Sequence, residues 1–373
     1  MKQYLDLSKR ILMEGEYEWN DRTETGTLSK FGELASYDLR EGFPLLTTKK
    51  MASRLPIEEM LFFLRGEDNV KRLTDKNVNI WNANAFDFYL SRHDLKKEIP
   101  KHTQEWRDKF SWYIDKVKND EGFAKKEGTL GRVYGVQWRD WTRPNGEKVD
   151  QIDNFIKKLK GKDPTSRSNI VSAFNPGEKD EMALGPCHLL CQSRVVKDKN
   201  RLDLLMYQRS ADNLLGVPFN VAQYSFLNHL VSRETGFEPG KFEHQLGNVH
   251  FYTGIQPRTN FLRDEKNLDE FQDMVKKAKK PDDYLEIRDW YLKNAPEEPE
   301  GTEGLDHIPF ALTQLARTPK EKPSLELKLQ DGEGFWDAIK KDARDLRKIR
   351  GYNSEDKLTY EYKGKTIEPI MAA

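Results

Sequence analysis

The sequence predicts a mixed α/β protein, because strand-like and helical patterns alternate along most of the chain. Three apolar runs, IVSAF (170–174), LLCQSRVV (189–196) and LDLLMYQ (202–208), are bounded by polar or turn-forming residues, which is typical of buried strands. Residues 221–234 instead repeat apolar side chains at helical spacing. A chain of 373 residues is long enough to bury a substantial core around such elements.

The N-terminal part is expected to hold the first elements of this fold. Its opening segment, MKQYLDLSKRIL, predicts an amphipathic helix. Strand patterns follow around 28–46, and a second helix is expected over 56–64, ending near Gly66. Residues 129–255 are the least charged part of the chain and contain the apolar runs described above.

Two segments differ from the rest in their density of charge. Residues 86–127 combine charges with spaced aromatic residues, which predicts a helical insertion with a solvated outer face. Residues 256–309 form a second charged insertion, in which 265–280 predicts an amphipathic helix and 294–304 a loop. A last strand pattern at 324–330 and a further helix lead to the C-terminal tail.

Bulk composition argues against several classes of protein. The 62 Lys and Arg residues balance 62 Asp and Glu residues, so a surface dedicated to coating nucleic acid is not expected. No apolar stretch approaches the roughly 18 residues of a membrane span, and the N-terminus lacks a signal-peptide pattern. Cys187 and Cys191 lie four positions apart, a spacing that indicates neither a disulfide framework nor a zinc site. We expect a cytoplasmic protein without a metal.

Cys187 is the first candidate for chemistry. It follows the turn-forming pair Gly185–Pro186 and precedes an apolar run, so a cleft can reach it, whereas Cys191 lies inside the predicted strand. A thiol must ionise to act as a nucleophile, and ionisation is favoured by a positive neighbour. Considered alone, both cysteines are better explained as small core residues.

The segment QRSADNLLGVPFN supplies partners for such a cysteine. Arg209 and Ser210 combine a forked cation with a hydroxyl, which suits a phosphate. Asp212 offers an acceptor for an NH-rich heterocycle, and Gly216 lets a flat ring approach the backbone. Asn220 carries a donor and an acceptor, which match the edge of a uracil. Each residue has a structural explanation of its own, such as a helix N-cap for Asn220, but the combination favours a nucleotide site.

Ten motifs follow one another in the order found in the thymidylate synthase family, which the chain therefore resembles. They include NDRTETGTLSKFG, GFPLLTTKK, NVNIWNAN, LGRVYGVQWR, MALGPCH, QRSADNLLGVPFN and GNVHFY. The resemblance covers residues 1–85, 129–255 and about 310–373. It leaves the charged segments 86–127 and 256–309 outside the family core.

The resemblance also implies an architecture. It indicates a single catalytic domain over residues 1–373, interrupted by the two charged insertions. The family fold is a three-layer α/β (α+β) arrangement on a mostly antiparallel, kinked sheet. Two subunits pack through this sheet, so a homodimer is expected.

The implied substrate is dUMP, with Cys187 adding to C6 of the pyrimidine and making C5 a nucleophile. Arg209, close to Cys187, is expected to lower the pKa of the thiol. Asn220 would read uracil rather than cytosine, whose exocyclic amine is a donor. The other implied contacts are Arg22, Arg209 and Ser210 on the 5′-phosphate, Arg167 on the same phosphate from the partner subunit, and His250 and Tyr252 on the deoxyribose 3′-hydroxyl.

The implied co-substrate is the folate 5,10-methylenetetrahydrofolate. Glu59 would organise the water network that moves protons, and Tyr134 would assist proton removal from C5. Asp212 would bind the pterin, and the tail that ends at Ala373 would close over the site and exclude water. The apolar contacts implied for the folate are Ile80, Trp81, Leu184, Gly216 and Phe219.

Several positions depart from the family pattern. Ser168 stands where a second phosphate-binding arginine is usual, and Glu24 where the loop of the first phosphate arginine usually has a glycine. Asn82 and Asn248 replace aspartates. Ala373 ends the chain where Val or Ile is usual, and the tail before it is irregular.

The product depends on the step after the transfer of the carbon. In a sealed site the folate delivers hydride and dTMP forms, whereas in a wetter site water adds and 5-hydroxymethyl-dUMP forms. The short terminal Ala373 and the other departures favour hydroxymethylation, as in phage enzymes that build modified DNA. Thymidylate synthase chemistry is the alternative, and Trp81 supports it. A non-catalytic protein that binds nucleotide or RNA is a third hypothesis, against which the intact Cys187 argues.

Overall fold

A computed structural model describes residues 1–101 and 103–371 of the chain. Its strands are β1 Glu16–Asn20, β2 Thr25–Asp38, β3 Trp141–Thr142, β4 Lys148–Val149, β5 Ile170–Ser172, β6 His188–Val196, β7 Arg201–Asp212, β8 Glu238–Tyr252, β9 Ser324–Leu327, β10 Arg347–Arg350, β11 Tyr360–Tyr362 and β12 Lys365–Ile367. Its α-helices are α1 Lys2–Glu14, α2 Arg54–Leu64, α3 Lys71–Thr74, α4 Asn82–Arg92, α5 Gln104–Asn119, α6 Glu121–Glu127, α7 Tyr134–Arg139, α8 Gln151–Lys160, α9 Gly216–Thr235, α10 Asn260–Arg263, α11 Glu265–Lys277, α12 Pro281–Asn294, α13 Ile308–Leu315, α14 Phe335–Ala338 and α15 Ala343–Leu346.

The main sheet has six strands in the order β1–β2–β8–β7–β6–β5. Each neighbouring pair is antiparallel except β7 and β8, which run parallel. The ladder register shifts between His188 and Leu190 and again between Leu202 and Leu204, and such irregularities bend a sheet. The predicted α/β fold on a mostly antiparallel, kinked sheet is confirmed.

Helix α9 forms the centre of the core on the inner face of this sheet. It is buried on nearly every side because it contacts β7, β8 and α2. The sequence predicts a helix over 221–234, whereas the observed helix begins at Gly216. Asn220 therefore lies inside the helix, and the N-cap explanation of this residue is wrong. Gly236 follows the helix with a φ of 78°, a left-handed conformation that glycine adopts without strain.

The opposite face of the sheet, which we call the outer face, carries two rows of aligned side chains. In the single chain Leu34 and Ile170 are 56% and 42% exposed. Leu205 and Tyr207, in the middle of the two rows, are partly exposed. An extended, partly apolar surface of this kind is typical of a protein–protein contact. The rows are Ile170–Gln192–Leu205–Glu243–Ser36 and Ser172–Leu190–Tyr207–Gln245–Leu34.

The first charged segment folds onto an aromatic cluster of its own. Helices α4, α5 and α6 enclose Phe86 and Tyr113, which have no exposed surface and whose ring centres lie 5.4 Å apart. Arg92 and His93 both contact the carboxylate of Glu127, each at 3.0 Å. The helices of this segment thus share one core and one set of ion pairs.

The second charged segment contains α10, α11 and α12. Its predicted amphipathic helix begins at Glu265 and ends at Lys277, slightly before the expected end, and packs on α1. The sequence pattern does not predict α12, although a proline in the first turn is a helix-start signal. Arg258 and Asp306 join the two ends of the segment through a buried ion pair, with Nε and Oδ2 2.7 Å apart.

The C-terminal part has more regular structure than the irregular tail that the sequence indicates. Strands β11 and β12 form a short hairpin that packs on α13, where the ring centres of Phe310 and Tyr360 lie 4.8 Å apart. Ala373 lies outside the described residues. Across 1–101 and 103–371, none of the helices combines the length and the apolar character that a membrane crossing requires.

Candidate active site

Cys187 lies at the junction between the Gly185–Pro186 turn and strand β6. Its backbone N–H donates to the phenolic oxygen of Tyr134 at 2.8 Å, and its carbonyl accepts from the backbone N–H of Arg209 at 2.9 Å. The guanidinium of Arg209 donates through Nε to the carbonyl of Pro186 and through Nη2 to that of Gly185, both at 2.9 Å. These three hydrogen bonds from Arg209 to residues 185–187 therefore hold the cysteine and the arginine side by side.

The electrostatic setting of Cys187 has two opposing parts. Burial raises the pKa of the thiol, and the guanidinium groups of Arg209 and Arg22 lower it by less, so the net pKa lies above its ordinary value. The expected contribution of Arg209 has the predicted sign, but the desolvation of Sγ outweighs it. Without a bound ligand, the thiol form of Cys187 therefore predominates over the thiolate near neutral pH.

Tyr134 stands at the start of α7 with its hydroxyl beside the reactive turn. The ring is buried and stacks on Phe63, with centres 4.6 Å apart. Because the phenolic oxygen accepts from the N–H of Cys187, its own hydrogen remains for another acceptor. Burial raises the pKa of Tyr134 further above its ordinary value, so the group is a neutral donor and acceptor.

Glu59 on α2 is the buried carboxylate of the site. It accepts from Nε1 of Trp81 at 2.6 Å and from Nε2 of Gln223 at 2.5 Å. Burial raises the pKa of Glu59 to about 7, and the two hydrogen bonds only partly offset that rise. A carboxyl group poised near neutral pH is suited to taking up and releasing protons. Glu59 is thus the described group of the site best matched to proton transfer.

Gln223 extends this arrangement to Asn220. Its Oε1 accepts from Nδ2 of Asn220 at 3.1 Å. This bond fixes the amide of Asn220 with its oxygen pointing away from Gln223. That oxygen, Oδ1, is buried without a hydrogen-bond partner among the described residues. An orphaned buried acceptor is costly in a finished structure, and here it offers itself to a ligand N–H. A β-carbon at Gly216 would lie 3.7 Å from this oxygen, so a glycine keeps the space open.

Asp212 ends strand β7 with one oxygen engaged and the other unpaired. Oδ1 accepts from the backbone N–H groups of Leu214 and Leu215, at 2.8 and 3.1 Å. Oδ2 is buried without a partner within the described ranges. Burial alone would raise the pKa of Asp212, but His307 and His250 hold it below its ordinary value. The carboxylate therefore presents a free, charged acceptor.

His250 and Tyr252 lie on the adjacent strand β8. His250 is paired in register with Asp212, and its ring centre lies 4.9 Å from that of Tyr252. Nδ1 of His250 lies 2.8 Å from Oδ1 of Asn248, whose amide donates in turn to Glu18. Asparagine at 248 thus fixes the histidine ring where the family has an aspartate, and it leaves Nε2 for a ligand.

The remaining predicted residues divide into three groups. Ser210, Leu184, Phe219, Ile80 and Trp81 lie on or beside the elements that carry the site. Arg22 occupies the exposed turn between β1 and β2, close enough to act on the pKa of Cys187. Arg167 lies at the outer face, where its backbone carbonyl accepts from Nε2 of Gln192 at 2.7 Å and where it lines a cavity together with Leu205 and Glu243.

Two residues that the sequence reasoning missed belong to this site. Gln223 joins Glu59 to Asn220, and its place one turn after Asn220 on the same helix was a usable signal. His307 lies between Asp212 and the C-terminal tail, with no motif to mark it. Neither its position in the chain nor its neighbours in sequence predict that contact.

Fold and geometry together define a class of protein. A cysteine beside two arginines, an amide with an orphaned oxygen and a buried carboxyl poised near neutral pH suit nucleophilic catalysis on an anionic heterocycle. No group of three or more His, Cys, Asp or Glu side chains within the described ranges is arranged to hold a metal ion. The arrangement is that of a nucleotide-modifying enzyme.

Comparison with known proteins narrows the class. The family model described as Thymidylate synthase matches residues 2–363. The protein named thymidylate synthase from Listeria monocytogenes serotype 4a is 43% identical over 263 residues, which cover 68% of this chain and 82% of the relative. That of the same name from Mesoplasma florum is 45% identical over 252 residues, covering 68% and 81%. The chain belongs to the thymidylate synthase family.

Membership fixes the coarse chemistry. The protein is a one-carbon transferase with 5,10-methylenetetrahydrofolate as co-substrate, as the sequence predicts. The names of these relatives favour reductive methylation, which the sequence analysis held as the alternative. They give no support to its preference for hydroxymethylation or for a phage-like enzyme.

Proposed function

We propose that this chain carries out the thymidylate synthase reaction, in which dUMP and 5,10-methylenetetrahydrofolate become dTMP and dihydrofolate. The observation that carries this proposal is the hydrogen-bonded chain Trp81–Glu59–Gln223–Asn220. It links an orphaned base-reading oxygen to a buried carboxyl whose pKa is about 7. A site that must recognise a uracil and move protons around it needs both ends of this chain.

The unpartnered groups suit the two substrates. Oδ1 of Asn220 accepts from N3–H of the uracil, and the unpaired Oδ2 of Asp212 accepts from the N–H groups of the pterin. Arg209 uses Nε and Nη2 on backbone carbonyls, which leaves Nη1 for the 5′-phosphate together with Arg22 and Ser210. His250 and Tyr252 take the 3′-hydroxyl.

The chain's own residues then supply the steps around the reacting carbons. Sγ of Cys187 gives its proton to solvent and bonds to C6, and the electron pair of the C5–C6 double bond moves to C5. C5 then attacks the one-carbon unit, and the bond from that carbon to one of its two folate nitrogens breaks. The water held by Glu59, hydrogen-bonded to the neutral Tyr134, takes the proton from C5 and passes it to the carboxylate of Glu59, while the remaining bond between the one-carbon unit and the folate breaks. The folate supplies the carbon and the hydride that reduces it to a methyl group. Release of Cys187 from C6 restores the double bond and frees dTMP.

Hydride rather than water completes the reaction in this proposal, because the apolar wall of the folate site is fixed. Nε1 of Trp81 is bonded to Glu59, and its ring meets those of Phe63 and Tyr134 edge-on, with centres 6.2 and 6.0 Å apart. Ile370 of the tail is anchored at both its N–H and its carbonyl. A dry, walled site favours hydride transfer over attack by water.

We infer further that the active unit is a homodimer formed through the outer face of the sheet, around one catalytic domain per chain. Arg167 supports this inference because it lines a cavity of the outer face together with Gln192 and Leu205. Across a two-fold contact it reaches the phosphate held by the partner subunit. Ser168 stands where the family usually has a second arginine, and its hydroxyl contacts that of Ser166 at 3.0 Å. In this proposal one arginine rather than two therefore crosses the interface.

Mixing two inactive variants tests the shared site. Cys187→Ala and Arg167→Ala are each expected to lose activity, but mixed dimers regain one intact site, with Cys187 from one chain and Arg167 from the other. We expect up to about a quarter of wild-type activity after unfolding and refolding the mixture, since half of random dimers are mixed and each holds one site of two. Absence of any recovery, with dimers present in sedimentation, contradicts the shared site.

Product analysis tests the reaction itself. The protein is incubated with dUMP and 5,10-methylenetetrahydrofolate, and nucleotides are identified by mass spectrometry while dihydrofolate is followed by its near-ultraviolet absorbance. We expect dTMP and dihydrofolate in equal amounts, and neither from Cys187→Ala. Accumulation of 5-hydroxymethyl-dUMP without dihydrofolate would establish hydroxymethylation instead.

A further inference from the structure

His307 lies where the folate side of the site meets the C-terminal tail. It has no exposed surface. Nδ1 lies 3.5 Å from Oδ1 of Asp212, the distance of an ion pair rather than of a close hydrogen bond. Nε2 lies 2.9 Å from the carbonyl oxygen of Ile370. One imidazole thus stands between a folate-site carboxylate and the segment expected to close the site.

The charge of this imidazole fits both contacts. Burial alone would lower the pKa of His307, but the carboxylates of Asp212 and Asp306 and the carbonyl of Ile370 raise it above its ordinary value. In the imidazolium form both ring nitrogens are donors. Because an acceptor lies at each end of the ring, the protonated form serves the two contacts at once.

The second insertion fixes the backbone at His307. The neighbouring Asp306 accepts through Oδ2 from Nε of Arg258 at 2.7 Å and from the hydroxyl of Tyr291 at 2.9 Å. Its backbone N–H donates to Glu298 at 2.9 Å. Arg258, Tyr291 and Glu298 all belong to residues 256–309. The insertion therefore fixes the imidazole together with strand β8, where the carbonyl of Tyr252 accepts from the backbone N–H of His307 at 2.8 Å.

The same segment also holds the tail. The N–H of Ile370 donates to the carbonyl of Gly304 at 3.0 Å, while its carbonyl accepts from His307. Met371, the next residue, lines a cavity of about 510 Å³ together with Thr23 of the β1–β2 turn. The tail is therefore attached by residues of the second insertion at the edge of the phosphate-binding turn.

We propose that His307 is a positioning residue that ties Asp212 to the C-terminal tail, and that the second insertion is the platform that holds His307 in place. The inference rests on the proposed function, because it takes Asp212 as the pterin ligand. It gives residues 256–309 a part in closing the site. Loss of the contact to Asp212 should weaken folate binding, and loss of the contact to Ile370 should loosen the tail.

Two substitutions separate the two contacts. In His307→Asn the side-chain amide takes the place of Nδ1 and keeps the contact to Asp212. In His307→Gln the amide takes the place of Nε2 and keeps the bond to Ile370. We expect His307→Asn to lower kcat roughly tenfold with KM for the folate nearly unchanged, and His307→Gln to raise that KM roughly tenfold with kcat nearly unchanged.

Attachment of the tail is measured without catalysis. Timed digestion of the full chain with carboxypeptidase, followed by mass spectrometry, reports how readily Met371 and Ile370 are removed. We expect removal roughly tenfold faster from His307→Asn than from the wild type or His307→Gln. If the wild type makes no dTMP, the proposed function fails, yet this digestion still decides whether His307 holds the tail.

The control substitution is His93→Gln. The ring of His93 contacts Glu127 and Tyr89 in the first insertion, so this variant is expected to keep the kinetics and the digestion rate of the wild type. Equal digestion of wild type and His307→Asn, or the same kinetic change in both variants at His307, overturns the proposal. Nitrogen-15 spectra of histidine rings in the wild type decide the matter if the variants do not fold. Hydrogens on both ring nitrogens of His307 support the proposal, and a bare Nε2 contradicts it.

Discussion

The two charged insertions are alike in composition but differ in what they contact. Both consist of amphipathic helices with solvated, charged sides. Residues 86–127 close around Phe86 and Tyr113, and Arg92 and His93 both contact Glu127 within the same segment. Residues 256–309 instead end in a buried ion pair whose neighbour, His307, contacts both Asp212 and the tail.

The difference follows from where each segment rejoins the core. The first returns near Leu130, whose N–H donates to the carbonyl of Asp68, on the side of α3. The second returns at Asp306, next to the ends of β7 and β8, where Asp212 and His250 lie. Charge-rich helices of similar pattern can therefore be a separate packing unit or part of the active site, depending on their point of return.

Breaking the ion pair of the second insertion should have the largest effect. Arg258→Met leaves Asp306 buried without its cation, which is expected to cost about 3–5 kcal/mol of stability and to displace His307. We expect a lower urea-unfolding midpoint and faster carboxypeptidase removal of Ile370. The matched control is Arg92→Met in the first insertion, where the pair with Glu127 is partly exposed and worth at most about 1 kcal/mol. If the two substitutions lowered stability and exposed Ile370 to the same extent, the difference proposed between the two insertions would be contradicted.

Emptying the core of the first insertion should destabilise the chain without changing its kinetics. Phe86→Ala removes a fully buried ring, which is expected to cost about 3 kcal/mol or more. Because that ring contacts other aromatic residues of the same segment, KM and kcat measured well below the unfolding temperature should stay at wild-type values. A change in KM for the folate would show that the first insertion also acts on the site.

The pair of His307 and Asp212 should make stability depend on pH. Asp212 has a lowered pKa and His307 a raised one, so their contribution is complete between the ordinary values of about 4 and 6.5. It is lost as pH falls through the lowered pKa of Asp212, and again as pH rises through the raised pKa of His307. Asp306 and His250 also face this pair.

The measurement is the difference in urea-unfolding midpoint between the wild type and His307→Asn, followed from about pH 4 to alkaline pH. His250 and the other titrating groups are common to both proteins, so the difference isolates residue 307. We expect the advantage of the wild type to shrink above about pH 6.5. An advantage that stays constant at alkaline pH contradicts a charged His307.

Glu24→Gly should have the smallest effect. Glu24 has a φ of 50°, a left-handed conformation that costs a non-glycine residue about 1 kcal/mol. Glycine relieves that strain but adds freedom to the unfolded chain, so stability should change by less than about 1 kcal/mol. Glu24 and Thr302 of the second insertion line the same cavity, so the insertion should hold the turn of Arg22 in place even with glycine at position 24. KM for dUMP should therefore rise less than about threefold. A larger rise would show that the insertion does not steady the turn of Arg22.

The sequence predicts those parts of the fold and site whose signals are local. Helix spacing identifies α1 and α2, and the strand–helix–strand succession of β7, α9 and β8 is what a parallel pair requires. Cys187, Arg209 and Asn220 are predicted as site residues because their motifs occur together, since each residue alone has a structural explanation. Local rules are sufficient for the elements, and the combination of motifs is needed for the site.

Non-local features could not be predicted from the sequence. His307 matters because of contacts to Asp212 and Ile370, which are far from it along the chain. The net pKa of Cys187 depends on burial that no motif reports. The hairpin of β11 and β12 forms on α13, so its strands have a partner only after the chain has folded.

The most direct test of the central claim traces the source of the last hydrogen. The reaction is run in water enriched in oxygen-18 with 5,10-methylenetetrahydrofolate that carries deuterium at C6 of the pterin, and the nucleotide product is examined by mass spectrometry. Our account predicts dTMP with one deuterium in its methyl group and no oxygen-18. A hydroxymethyl product that contains oxygen-18 and no deuterium would contradict it.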